Sequence, residues 1–109
     1  MGTRNIEDSY TDTLDGVVVA LCRDFKRRED AVEKKLCSRR TAMEYEYINA
    51  RVYDAAREIA GKYALDYIYE IGERVGYAYS KVDDSSESTY KIMKKEIKKN
   101  IAKKLHMID

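Results

Sequence analysis

Residues 41–60, TAMEYEYINARVYDAAREIA, constrain the chain more than any other stretch. Tyr45, Ile48, Val52, Ala55, Ala56, Ile59 and then Tyr63 recur at steps of three and four, the spacing of one face of an α-helix. Tyr47, Ala50 and Tyr53 widen that face beyond a narrow stripe, so more than one neighbour packs on it. Thr41 stands three residues before Glu44, the pattern in which each side chain satisfies a free backbone N–H at a helix start. A central helix over 42–60 follows.

The rest of the chain offers partners of the same kind. There is no proline among the 109 residues, and the charged residues are mostly Lys, Arg and Glu, all good helix formers. The expectation is an all-α fold, a compact bundle of about four helices in a single domain, residues 1–109, with 1–10 frayed. The helices are predicted near 12–36, 42–60, 64–79 and 86–105. In the first, Asp12 or Thr13 caps a face of Leu14, Val17, Val18, Leu21 and Phe25, and Gly16 allows a close contact. Its second half, RDFKRREDAVEKK, is dense in alternating charge and reads as a solvated helix.

Gly61 ends the central helix, and the third carries Ile68, Ile71, Gly72, Val75 and Tyr79 on one side. Gly72 and Gly76 are spaced by four, which suits a close helix crossing; a helix end at Gly76 is the rival reading. Residues 82–88, VDDSSES, form the clearest break. Asp84 and Glu87 make a second capping pair, so the fourth helix starts near Ser85 or Ser86. Tyr90, Met93, Ile97, Ile101 and Leu105 form its inner arc, with Lys91, Lys95, Lys98 and Lys99 outward and Lys94 at the margin. Two residues break the pattern: Lys104 falls on the apolar side, and Ile92 on the polar side.

Ten Tyr against one Phe and no Trp make an unusual set of core candidates. Each phenol must find a partner or reach water, so such a core is shallow or completed by another subunit. A homo-oligomer is expected, in the form of a two-fold homo-dimer with tyrosines in the contact and Ile92 against the second chain. Catalytic signatures are largely missing. Cys22 and Cys37 lie outside any CxxC and His106 is the single histidine, too few ligands for a structural zinc site. Phosphate-binding glycine loops and nucleophile elbows are absent. No enzyme activity, metal or cofactor is expected. Glu44, Asp54, Glu58, Asp66, Glu70 and Glu73 read as solvated helix faces or as partners of the last helix. Without a membrane-length apolar run or a signal-peptide core, the expectation is a cytoplasmic protein with no membrane role.

Charge is uneven although the net is +1. Residues 41–89 hold five basic and ten acidic side chains, and residues 90–109 hold seven basic and two acidic. Either the basic last helix docks on an acidic body, or it is offered to nucleic acid. IGERVGY at 71–77 followed by SESTYKIMKKEIKKNIAKKL at 86–105 resembles the closing helix-turn-helix of bacterial sigma factors and phage late-transcription activators. In that family the second helix lies in the DNA major groove. The resemblance implies DNA contacts from Ser86, Ser88, Thr89, Lys91, Lys94 and Lys95, with Lys98 extending the basic face. Residues 77–85 stand where the family has a short turn, which opens the tight angle between the helices. Two functions of different class follow: a self-associating helical accessory protein without catalysis, or a DNA-binding transcriptional regulator of phage or mobile-element type.

Overall fold

The computed structural model describes residues 10–82 and 86–109, and these form an all-α bundle. Five α-helices run along it: α1 (Asp12–Arg23), α2 (Phe25–Glu33), α3 (Arg39–Ala60), α4 (Ala64–Gly72) and α5 (Glu87–Lys104). Short 3-10 turns occupy Gly61–Tyr63 and Tyr77–Tyr79.

Helix α3 is the centre, as its periodicity predicts. Its C-terminal half buries Val52, Ala55 and Ala56 against α4 and α5, while α2 packs along its N-terminal half. Helix α1 crosses the far side of α4 and touches α5. The core is completed by Val18, Val19, Cys22, Tyr67, Ile68, Ile71, Tyr90, Ile97 and Ile101. No residue between 39 and 50 is buried, so α2 and the first half of α3 form an antiparallel hairpin standing out from the body.

The helix expected over 12–36 is two helices, divided at Asp24. The cause is Arg28, whose guanidinium is buried. Its Nη2 donates to the Leu21 carbonyl at 2.5 Å, its Nε donates to Asn49 Oδ1 at 2.7 Å, and Nη1 lies 3.6 Å from Asp24. Asn49 Nδ2 in turn donates to the Phe25 carbonyl at 3.1 Å. Side chains thus occupy carbonyls on both sides of Asp24, and a helix bends where its own ladder is interrupted in this way. Thr11, not Asp12 or Thr13, caps α1 through the Leu14 N–H. The buried face of α1 is Val18, Val19 and Cys22, rotated from the one expected, so that Val17 is exposed. Gly16 meets nothing within 4 Å.

Ser38 caps α3 by accepting from the Thr41 N–H, which moves the helix start three residues ahead of the predicted Thr41 cap. The third expected helix stops at Gly72 instead of continuing to 79. There the Val75 N–H reaches the Glu70 carbonyl at 2.9 Å and the Arg74 N–H reaches Ile71 at 3.2 Å, with Arg74 left-handed at φ 54°. The same paired bonds close α2 around Lys35 (φ 56°) and α5 around His106 (φ 60°). Tyr79, expected on the inner face, is 84% exposed.

Gly72 marks a close crossing. A Cβ built there would stand 2.6 Å from the Arg23 nitrogen, and Arg23 Nε donates to the Gly72 carbonyl at 3.1 Å. Gly76 lies outside the helix in open space, so the four-residue glycine spacing is half contact and half loop. Helix α5 starts where expected, but its cap is Ser86, which accepts from the Thr89 N–H; Asp84, of the expected Asp84–Glu87 capping pair, lies outside the described residues. No described helix is long and apolar enough to cross a membrane.

Candidate interaction surfaces

The lysines of α5 divide by height along the helix. Lys98 Nζ sits 2.8 Å from Asp15 on α1, and Lys94 Nζ donates to the Val75 carbonyl at 2.8 Å. Lys104, the residue that broke the apolar pattern, pairs with Glu58 on α3, where Asn100 also donates at 3.0 Å. Lys99 is buried, contrary to the outward position expected for it and for Lys98. The N-terminal part of α5 is open, and Lys103 is exposed in its last turn. Lys91 pairs with Glu87 one turn earlier at 2.7 Å, while Lys95 and Ser88 are exposed. The Ser86 hydroxyl is taken by the helix cap, and it also donates to Thr89 Oγ1 at 3.0 Å. Of the seven candidate DNA contacts, Ser88, Lys91 and Lys95 are exposed and make no hydrogen bond or ion pair with another helix among the described residues; Ser86 and Thr89 serve the cap, and Lys94 and Lys98 are tied down.

These ties have electrostatic consequences. Burial favours the neutral form of Lys94 and pulls its pKa down, helped by Lys98 and Arg74 and opposed by Glu70. Burial pushes Asp15 up, but hydrogen bonds from Lys98 and Tyr10 outweigh it and leave the carboxyl below its ordinary 3.8.

Among the described residues, Glu70 is the acid that accepts the most hydrogen bonds in the interior. Sequence reasoning placed it among solvated carboxylates, yet it is 2% exposed. It accepts from the Ser80 hydroxyl at 2.6 Å, the Lys81 N–H at 2.8 Å and the Tyr90 hydroxyl at 2.7 Å. Residues 73–82 are thereby folded back over the α4–α5 junction. A buried carboxylate with several donors is a structural knot. The Cys22 thiol is buried too, and burial pushes its pKa up to about 12, which keeps it a thiol.

The apolar surface left open lies elsewhere. A groove of about 400 Å³ runs between the α1–α2 bend and α4. Phe25 and Ile68 line its floor, and Leu65 (56% exposed) and Tyr69 (60% exposed) stand along one wall, one helical turn apart. Its rim mixes signs, with Arg23 and Lys26 near Glu29 and Glu73. Leu65 and Tyr69 were absent from the predicted faces. The signal was present, because both fall off the inner stripe of α4 just as Ile92 falls off that of α5, where it is 58% exposed.

Comparison with known protein families, with curated proteins and with solved structures finds no match to this chain.

Proposed function

We propose that this chain is a non-catalytic helical protein that works by self-association, pairing two copies across the groove beside α4. The observation that carries this reading is the Leu65–Tyr69 row, a two-residue apolar ridge standing over an apolar trough. Ridge and trough on one protomer are the two halves that a two-fold contact needs, since each copy can seat its ridge in the other's trough. The rim supports the same geometry. A rim carrying both signs can face its own copy without like charges stacking. Tyrosine suits the role: it offers apolar area with a hydroxyl that tolerates either water or a partner.

A DNA-reading α5 has thinner support. Lys94, Lys98 and Lys104 are engaged with the body, which leaves Lys91 and Lys95 as a short cationic strip, with exposed Lys103 two turns beyond it.

Sedimentation equilibrium tests the proposal. The parent chain is expected to sediment above its 12.7 kDa monomer mass at micromolar concentration. Leu65→Glu/Tyr69→Glu is expected to return it to the monomer with its helical spectrum intact, because both side chains are exposed. A parent that is monomeric, or a variant that still associates, overturns the assignment to this groove.

A further inference from the structure

The far end of the α2–α3 hairpin gathers four cations around an exposed apolar side chain. Lys34 and Lys35 follow α2, and Arg39 and Arg40 open α3; all four are exposed, as is Leu36 between them (73%). Lys34, Lys35 and Arg39 have no ion-pair partner among the described residues. Arg40 approaches Glu44 at 3.8 Å, in a pair that is largely solvated. Counting Glu33 and Glu44 with them, residues 33–44 hold four positive and two negative charges.

Local physics resists this arrangement three times over. Two arginines occupy the first turn of a 22-residue helix, whose dipole favours anions there, and no acid accompanies them. Lys35 adopts a left-handed conformation that suits glycine. Leu36 is turned out to water. The left-handed turn at Lys35 recurs at Arg74 and His106, so what sets this apex apart is the clustered cations beside an outward leucine, away from the buried core, a surface suited to contact.

We propose that this hairpin tip clamps the phosphate backbone of duplex DNA, with Arg39, Arg40, Lys34 and Lys35 as the phosphate ligands. This goes beyond self-association and does not depend on it. Guanidinium groups meet phosphate oxygens in a two-pronged geometry, and the two lysines add point charges beside them. Leu36 gives the apex an apolar contact for a sugar or a thymine methyl group. A lipid surface would meet the same cations. But a single leucine supplies far less apolar burial than a myristoyl chain, which by itself binds membranes only marginally. Residues 41–109 behind the tip hold twelve basic and twelve acidic side chains, so the cations of the tip stand out against a stretch of no net charge.

Fluorescence anisotropy with a random-sequence duplex, read across roughly 50 to 200 mM salt, tests the proposal. The parent is expected to bind, with a log–log salt slope of about −3 to −4 for four phosphate contacts. Arg39→Gln/Arg40→Gln should weaken binding at least about tenfold and flatten the slope by about two. Lys91→Ala/Lys95→Ala should leave it unchanged, and circular dichroism should show both variants folded. No binding by the parent at low salt overturns the proposal. So does binding lost only in the α5 variant, which would return the contact to the helix-turn-helix resemblance. Stronger retention on phosphatidylcholine–phosphatidylserine vesicles than on DNA, abolished by Leu36→Ser, would assign the tip to lipid and overturn it equally.

Discussion

The Tyr90 hydroxyl on α5 donates to the Glu70 carboxylate on α4 at 2.7 Å, inside the core. The same hydroxyl lies 3.2 Å from the Val75 carbonyl, and the Tyr90 ring stacks on Tyr67 with centroids 5.7 Å apart. One phenol therefore joins two helices and the segment connecting them. Tyr90→Phe keeps the stacking and removes the hydroxyl, leaving Glu70 with two donors. It is expected to lower unfolding free energy by about 1.5–3 kcal/mol in urea titrations, the range for a hydrogen bond to a charged group. Glu70→Leu leaves the Ser80, Lys81 and Tyr90 donors without their acceptor and should cost more than Tyr90→Phe. Equal stability of Tyr90→Phe and parent would show that the hydroxyl contributes nothing net.

Two glycines in helices should respond to alanine with opposite sign. At Gly72 the new Cβ meets the backbone of Arg23 at 2.6 Å, so α1 and α4 must separate. Gly72→Ala is expected to destabilise by roughly 1–3 kcal/mol, the range for overpacking. Gly16→Ala meets no neighbour and should stabilise by about 0.5–1 kcal/mol through the chain entropy it removes. Thermal melts of the two variants on either side of the parent would bear this out; a stabilised Gly72→Ala would refute the close crossing.

His106 closes α5 in a left-handed conformation at φ 60°, with its N–H on Lys103 and the Met107 N–H on Ala102. Glycine adopts that conformation without the Cβ penalty. His106→Gly should raise stability by about 1 kcal/mol despite deleting a side chain. A decrease would mean that the imidazole makes a contact worth more than the backbone strain.

Asp15 and Lys98 fasten α1 to α5, with Tyr10 and Arg74 also facing the carboxylate. Because the folded pKa of Asp15 is depressed below 3.8, its contribution is complete above that value and is lost as pH falls through the folded pKa. Asp15→Asn should therefore be less stable than the parent by on the order of 1 kcal/mol near neutral pH. The difference should shrink in acid, below about pH 4. A gap between the two melting curves that stays constant down to pH 2 would disprove the linkage. On the same helix, Lys98→Ala should lower the melting temperature, whereas Lys91→Ala/Lys95→Ala should barely move it, since Lys95 is exposed and Lys91 makes only a solvated pair within its own helix.

Legibility followed the reach of each signal. Val52, Ala55 and Ala56 were readable because helical periodicity is local, and the start of α5 because the polar break before it is local too, although the cap is Ser86 and not the expected Asp84–Glu87 pair. The division at Asp24 was not readable, since it depends on Arg28 finding Asn49, which is 21 positions away. Glu70 looked like any other helix carboxylate, and its burial arises from donors on a later turn and a later helix. Of the candidate DNA contacts, the engagement of Lys94 and Lys98 came from Val75 and Asp15, neither of them near in sequence.

The sequence by itself determined that this chain is all-α in its described residues, which stretch is central, and where α5 begins. Those properties come from backbone propensity, from apolar spacing and from side chains that cap their own backbone. The tertiary structure alone decided which polar groups go inside, which lysines stay free, and which apolar ridge remains uncovered. Burial of a charge is settled by the partners that long-range packing brings to it, and a helical pattern carries no record of those partners.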